Sequence, residues 1–325
     1  MKHSMTTKCK SFILALAALL PFGCAWAQTD YPNRLIKIVS PTAVGSGGDT
    51  LARRLTEPLA KLLGQPVIVE NKPGAQSKIG AIAVARASSD GYTLLLGGNS
   101  FVANVHMMKD VGYDPVKDFT PISLLNRNPL LLVVNAETPV RTVQEFIKYA
   151  KARPGKLNYG VGNSGSLVAA QLLRTQSGIQ AVSVNYPGMA QAATDLLAGR
   201  VDFVMLDPII AKPFVEGGKL RALGVTSKQR LESFPDIAPL AESGLPGYEW
   251  VGWVGLFGPR GLSAAAVEKI NKAVVQAVAE PDVVKFMTDG GMIPATSTSE
   301  QLKAFVLEQV DLWGHWTKEA GLQPQ

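Results

Sequence analysis

The sequence predicts an α/β protein, and three observations lead to that prediction. Short apolar runs alternate with amphipathic stretches, a rhythm typical of parallel strands joined by crossover helices. The length of 325 residues is enough for two domains. Two turns rich in glycine and serine each lie between an apolar strand and a helix: residues 41–49 read PTAVGSGGD, and residues 160–166 read GVGNSGS.

The first 27 residues are expected to be a cleavable signal peptide, outside the fold. Three lysines precede the apolar run 12–20, which is too short to span a bilayer, and Ala25-Trp26-Ala27 has small residues where a signal peptidase cuts. The mature chain would begin near Gln28 and would be exported. Lipid attachment at Cys24 is the alternative, although the preceding residues lack the usual aliphatic residue of a lipoprotein box.

Composition narrows the function classes. Both cysteines, Cys9 and Cys24, lie in the leader, so the mature protein has no disulfide and no thiol chemistry. Without the three leader lysines, 29 basic and 26 acidic residues remain, a formal charge of +3. No basic run with interleaved aromatic residues is present, so nucleic-acid binding is not expected. A mild positive balance suits anionic solutes.

The first elements follow from periodicity and end signals. A buried strand is predicted at 35–40 and a helix at 50–63 that ends at Gly64. Further strands are predicted at 66–70 and 93–96. The continuous apolar run 129–135 is typical of a parallel strand covered on both faces.

The later elements continue the alternation. Thr142 and Glu145 form a capping box that opens a helix up to Lys151. Strands and helices then alternate over 157–161, 167–176, 181–185, 189–198 and 201–206. In the last third, 250–257 is apolar and aromatic, 263–279 is a helix, and a capping box at 297–300 opens a long helix whose buried face comprises Leu302, Phe305, Val306, Val310 and Trp313.

The two glycine-rich turns are the candidate binding site. Glycines let the backbone approach a ligand, and the helix that follows points free N–H groups and its positive dipole end into the turn. A helix N-terminus favours an anion by about 0.3 to 2 kcal/mol. Two such turns predict a clamp for a molecule with two negative ends; a plain tight connection is the alternative.

Candidate ligand contacts come from both turns and from later strand ends. Asp49 is expected to hold its turn, because a carboxylate at a helix start satisfies N–H groups and would repel an anionic ligand. Tyr186 is as reasonable in the core as at the ligand, and Asp207 either accepts from a ligand hydroxyl or pins a loop. The full predicted set is Thr42, Ala43, Val44, Ser46, Gly47, Asn99, Gly162, Asn163, Ser164, Gly165, Ser166, Tyr186 and Asp207.

Nucleotide binding and catalysis have little support. Residues 160–165 match G-x-G-x-x-G, but no Asp or Glu occurs from 161 to 194 to hold a ribose. His106 and His315 are isolated from acidic clusters, and no zinc-protease, nucleophile-elbow or P-loop motif is present. A serine hydrolase would need a base beside Ser164 or Ser166. We therefore expect no catalytic residues, no cofactor and no metal.

Several phrases resemble one family. Residues 69–75 read VENKPGA, 90–95 read DGYTLL, 218–223 read GKLRAL, and 253–259 read WVGLFGP. These phrases resemble those of the Bug, or TctC-like, periplasmic receptors of tripartite tricarboxylate transporters, and the resemblance covers essentially the whole mature chain.

The resemblance implies a two-domain, type II-like periplasmic-binding-protein clamshell with the ligand in the inter-domain cleft. The first domain would comprise 28–125 plus 245–325, and the second 126–244. Such a receptor would act as a monomer and deliver a small carboxylate to the membrane subunits of a transporter. Ligand presentation to an extracytoplasmic sensor kinase uses the same clamshell and stays open.

This chain departs from the family pattern at the site. Val44 and Ser46 replace a proline and a glycine of the first turn, and Thr42 stands where an aromatic residue is frequent. Tyr186-Pro187-Gly188 lacks the family's lysine, and Leu167 replaces a histidine. These changes imply a roomier, less cationic pocket. The resulting hypothesis is a bulkier, flatter acid than citrate or aspartate, such as a benzene dicarboxylate.

Overall fold

The computed structural model describes residues 31–319 and residue 324. The expected signal peptide lies outside the described residues. From Pro32 onward the chain forms one compact unit that contains two β-sheets. No helix in residues 31–319 combines the length and the apolar character that crossing a membrane requires.

The first sheet has the strand order β11-β4-β10-β3-β1-β2. Its strands are β1 Ile36–Ser40, β2 Val67–Asn71, β3 Thr93–Gly98, β4 Phe119–Pro129, β10 Val251–Pro259 and β11 Ile293–Pro294. The helices of this part of the chain are α1 Gly47–Leu63, α2 Lys78–Ala85, α3 Asn99–Met107, α8 Ala264–Val278, α9 Pro281–Asp289 and α10 Ser299–Glu319.

The second sheet has the strand order β7-β6-β8-β5-β9. Its strands are β5 Leu131–Asn135, β6 Leu157–Val161, β7 Ala181–Asn185, β8 Phe203–Leu206 and β9 Leu220–Val225. Its helices are α4 Val143–Lys151, α5 Ser164–Ser177, α6 Met189–Leu197 and α7 Pro208–Glu216. The predicted α/β class is confirmed.

Both sheets are mixed, which corrects the expectation of purely parallel sheets. β1 is parallel to β2 and β3, but β10 is antiparallel to β3 and β4. β5 is antiparallel to both of its neighbours, β8 and β9, although residues 131–134 are fully buried. The prediction of a parallel strand at 129–135 is therefore wrong, because a long apolar run reports burial on both faces and not strand direction.

Two helix starts and one capping box differ from prediction. α1 begins at Gly47 and α5 at Ser164, three residues earlier than expected in each case, because glycine and serine are poor interior residues but fit a first turn. The capping box at Thr142 and Glu145 is confirmed. The box before α10 pairs Thr298 with Gln301 and not Ser297 with Glu300, with N···O distances of 3.1 and 2.9 Å.

The chain crosses between the sheets twice, and the crossings are bonded to each other. It leaves β4 for β5 at Leu130 and returns to β10 through Trp250. Thr226 joins the two, since its Oγ1 accepts from Leu130 N at 2.7 Å and its carbonyl accepts from Trp250 N at 3.0 Å. The division into domains 28–125 plus 245–325 and 126–244 stays a prediction. The chain passes from one sheet to the other at Leu130 and at Trp250, close to these predicted boundaries.

The carboxyl ends of the parallel strands form two facing edges. α1, α2 and α3 start from the first edge, after β1, β2 and β3, and α5, α6 and α7 start from the second, after β6, β7 and β8. The edges meet where the side chain of Gln76 approaches that of Ser164. Each of these six helices therefore begins at one of the two edges.

Candidate functional site

The first turn is built on a chain of hydroxyl groups. The Ser40 and Thr42 hydroxyl oxygens lie 3.0 Å apart, and those of Thr42 and Ser46 lie 2.7 Å apart. Ser46 caps α1, since its Oγ accepts from Asp49 N at 3.3 Å. Gly45 has φ 81°, a left-handed conformation that favours glycine. The rest of the turn faces solvent at Ala43, Val44 and Gly47.

The buried carboxylate of Asp49 stabilises this turn through hydrogen bonds. Its carboxylate is 1% exposed and accepts from Gly45 N at 2.9 Å, Asn71 Nδ2 at 2.7 Å and Arg53 Nε at 3.1 Å. Burial pushes the pKa of Asp49 upward, but the hydrogen bonds from Arg53, Gly45 and Asn71 outweigh it, so the pKa is lowered. The carboxylate therefore stays ionised, and its donors come from the protein itself.

The second turn is closed by a neutral, reciprocal cap. Asn163 Oδ1 accepts from Ser166 N at 2.8 Å, and Ser166 Oγ accepts from Asn163 N at 3.3 Å and from Gly162 N at 3.2 Å. Ser166 Oγ also donates to the Asn163 carbonyl at 2.9 Å, and Ser166 is fully buried. Ser166 thus caps α5 beneath the turn, and contact of its hydroxyl with a ligand stays a prediction.

The glycines of the second turn are packed tightly. A methyl group at Gly162 would lie 2.5 Å from Met189 N, and one at Gly165 would lie 2.7 Å from the Trp250 ring. Both positions therefore require glycine for close approach of the neighbouring chain. Asn163 is exposed and Ser164 half-buried, so these two side chains of the turn remain accessible from the cleft.

Asn99 and Asp207 lie near the crossings. Asn99 is the first residue of α3, and its Nδ2 is 2.9 Å from the position of a methyl group at Gly252 in β10. Asp207 precedes α7 but makes no side-chain cap bond. Burial raises the pKa of Asp207 to about 6. Its carboxyl group therefore takes up a proton more readily than an exposed aspartate does.

The Tyr186 hydroxyl is hydrogen-bonded to a residue of the second sheet's helix α6. Its hydroxyl donates to Asp195 Oδ2 at 2.9 Å, and Asp195 also pairs with Arg200 at 2.9 Å. Burial and the bond to Asp195 raise the pKa of Tyr186. The ring is half-buried, so contact of its edge with a ligand stays a prediction.

Trp250 is a buried residue next to the second turn that the sequence did not single out. It is 4% exposed, and its ring packs on Gly165 of the second turn and lies 3.1 Å from the methyl position at Gly252. Its contact with Gly165, which lies 85 residues away in sequence, leaves no local signal. Trp253 is 2% exposed, and its Nε1 donates to Gln309 Oε1 at 3.2 Å.

The site contains no cluster of metal ligands. Within the described part of the chain, no three His, Cys, Asp or Glu side chains are grouped so that they could hold a metal ion. The groups offered to a ligand are backbone N–H groups, hydroxyls and amides, which suit a carboxylate.

Comparison with known sequences identifies the family of this chain. The family model described as "Tripartite tricarboxylate transporter family receptor", TctC, matches residues 51–322. A UPF0065 protein of Bordetella pertussis is 34% identical over 317 residues, covering 96% of this chain and 97% of that protein. Protein BugT of the same organism is 30% identical over 295 residues and covers 90% of each chain.

Solved structures share the fold. An R. palustris protein with adipate has a TM-score of 0.83 at 31% identity, covering 91% of this chain and 100% of that one. MatC from Rhodopseudomonas palustris with bound malate has a TM-score of 0.76 at 33% identity, covering 88% and 99%. The periplasmic binding protein BugD has a TM-score of 0.80 at 32% identity, covering 91% and 100%. The chain belongs to the TctC family of tripartite tricarboxylate transporter receptors, which are solute-binding proteins and not enzymes.

Proposed function

We propose that this receptor captures a small dicarboxylate in the cleft and delivers it, as a periplasmic monomer, to the membrane subunits of a tripartite tricarboxylate-type transporter. The observation that carries the proposal is the pair of capped helix N-termini, α1 and α5, on opposite edges of one cleft. Each turn can take one carboxylate, because the first N–H groups of a helix have no partner within the helix.

Hydrogen bonds from the two turns can supply the free energy of micromolar binding. Hydrogen bonds to a charged group contribute about 1.5 to 3 kcal/mol each, and micromolar affinity requires roughly 8 kcal/mol. Three or four such bonds, shared between the first turn near Ser46 and Gly47 and the second near Asn163 and Ser164, reach that value. Similar proteins with adipate and with malate carry dicarboxylates, which supports the same ligand class here.

Binding would close the cleft. The two crossings that meet at Thr226 are the covalent links between the sheets, so a bend there changes the distance between the two turns. A ligand closes the cleft only if it binds the closed form more tightly than the open form. A molecule with a carboxylate at each end does so, because both turns reach it only when the edges approach.

Apolar side chains in and near the two turns favour an apolar spacer between the two carboxylates. Val44 at the tip of the first turn is 72% exposed, and Ile79, which follows the neighbouring loop, is 52% exposed. Leu167 is half-buried just after the second turn. These side chains suit an aliphatic chain or a ring, and we therefore include a benzene dicarboxylate among the candidate ligands.

A thermal-shift and calorimetry panel tests the proposal. The chain from Gln28 is titrated with adipate, malate, citrate, phthalate and the mono-esters of the diacids. We expect one diacid to raise the melting temperature by several degrees at about 100 times its Kd, an effect that is lost in its mono-ester. Tight citrate binding without phthalate binding would refute the bulky-acid hypothesis. No shift with any acid would refute the carboxylate assignment.

A further inference from the structure

A loop between β2 and α2 has an unusual backbone. Residues 74–77 all have positive φ: Gly74 125°, Ala75 43°, Gln76 50° and Ser77 78°. We call these four residues the left-handed loop. For a non-glycine residue this conformation costs about 1 to 2 kcal/mol, and three of the four are not glycine. Such strain persists only where the surroundings enforce it, and it is concentrated at functional sites.

The surroundings enforce the loop from its own side of the cleft. Asn104 of α3 is fully buried, and its Nδ2 donates to the Gln76 carbonyl at 2.9 Å. Lys78 N donates to the Ala75 carbonyl at 3.0 Å. Just beyond, a methyl group at Gly80 would lie 2.7 Å from Pro41 Cβ, so α2 packs directly on the start of the first turn.

The side chain of Gln76 reaches the opposite edge. Gln76 is exposed, yet its Oε1 lies 3.5 Å from Ser164 Oγ in the first turn of α5. The backbone of this residue is therefore anchored beside the first turn, while its carboxamide lies at the second. A ligand held on both turns has to lie beside this carboxamide.

We propose that Gln76 is a specificity-determining residue of the cleft, and that its carboxamide contacts the ligand carboxylate held by the second turn. This inference rests on the proposed function. A carboxamide offers two N–H donors and one acceptor on the same planar group. Its oxygen accepts from the Ser164 hydroxyl while its nitrogen, on the same carbon, donates to a carboxylate oxygen. The left-handed loop is then a third wall of the site, besides the two turns.

The strained backbone of the left-handed loop holds Gln76 in place before a ligand binds. A glutamine on a flexible loop would lose backbone and side-chain freedom on binding, and that loss would weaken affinity. Asn104 fixes the Gln76 backbone before any ligand arrives. The entropic cost of ordering the loop is thus met in folding and not in binding.

Two glycine substitutions separate the side chain from the backbone. Both Gln76→Gly and Ala75→Gly relieve a positive φ, but only the first removes the carboxamide. With the receptor from Gln28 and adipate, malate and phthalate as probes, we expect Ala75→Gly to keep Kd within about twofold and Gln76→Gly to raise it about tenfold, the loss of one charged hydrogen bond. Neither variant should melt below the wild type.

A third variant tests the chemistry. Gln76→Glu keeps the length of the side chain but replaces the N–H donors by a negative oxygen. We expect Kd to rise further than in Gln76→Gly, because two carboxylates then face each other. Equal Kd values for Gln76→Gly, Ala75→Gly and the wild type would overturn the role of Gln76 but leave the proposed function standing. Failure of the wild type to bind any of the three probes would overturn the proposed function and this inference with it.

Discussion

The two glycine-rich turns look alike in sequence and use their glycines in opposite ways. In the first turn, a methyl group at Gly45 or Gly47 would meet no atom within 4 Å. In the second, a methyl group at Gly162 or Gly165 would meet neighbouring atoms at 2.5 and 2.7 Å. Glycine in the first turn leaves the backbone open to the cleft. Glycine in the second lets α6 and Trp250 pack against the turn.

The turns also differ in how they are fastened. The first depends on an ionised, buried carboxylate, that of Asp49, and the second on the neutral cap between Asn163 and Ser166. A glycine-rich strand-to-helix turn is therefore a common geometry that different chemistry can stabilise. Substitutions in the two turns can therefore separate the contributions of packing, charge and capping to stability.

The largest effect is expected from packing in the second turn. Gly162→Ala places a methyl group against the backbone of residues 188 and 189, which cannot move as a flexible side chain does. We expect a loss of about 3 kcal/mol in the free energy of unfolding. Gly47→Ala is the matched control, since the space there is open, and it should leave stability unchanged or raise it by up to about 1 kcal/mol. Urea unfolding measures both, and equal effects would show that the turns do not differ in packing.

A smaller loss is expected from the charge in the first turn. Asp49→Asn removes the ionised acceptor of Arg53, Asn71 and Gly45, and should cost about 2 kcal/mol at pH 7. The control is Glu268→Gln, which removes an exposed i,i+4 ion pair with Lys272 and should leave the free energy of unfolding unchanged.

The pH dependence of unfolding gives an independent check on Asp49. Its pKa is lowered in the folded state, so its contribution is present above the unfolded pKa near 4 and is lost as the pH falls through the folded value. The wild type should therefore lose its advantage over Asp49→Asn as the solution is acidified below about pH 4. A constant difference down to pH 2 would contradict an ionised Asp49.

The smallest stability effects separate two serines of the second turn. Ser166→Ala removes a buried acceptor of two N–H groups and should cost about 1 kcal/mol. Ser164→Ala should leave unfolding unchanged but weaken the binding of a dicarboxylate several-fold, because its hydroxyl donates to Gln76 Oε1 and holds the carboxamide at the second turn. Calorimetry with adipate measures the binding. A Ser164→Ala variant that loses stability but not affinity would reverse the assignment of the two hydroxyls.

Much of the architecture could be predicted from the sequence, since helices and strands with clear ends leave local signals. The α4 capping box and the Gly64 end of α1 are examples, because both depend on residues within one turn. Strand direction could not be predicted in this way. The antiparallel setting of β5 follows from its entry out of the first sheet, which apolar content does not encode.

The candidate site was predictable only in part. The motif of the second turn identified Asn163 and Ser166 as polar residues near a helix start, but not that they satisfy each other. Gln76 and Trp250 lie far from the second turn in sequence and contact it only through the tertiary fold. α3 was not predicted, and no side-chain cap marks its start. α7 was not predicted either, although Pro208 lies in its first turn and Gly217 follows its end.

The position of β10 determines the order in which the chain can fold as it is delivered from its N-terminus. All five strands of the second sheet lie between residues 131 and 225, so that sheet can assemble as soon as this segment is available. The first sheet cannot, because β10 lies between β3 and β4 and is made last but one. Its earlier strands β1 to β4 must wait with an unpaired gap until residue 259 has emerged. The second sheet can therefore be complete before the first sheet has all of its strands.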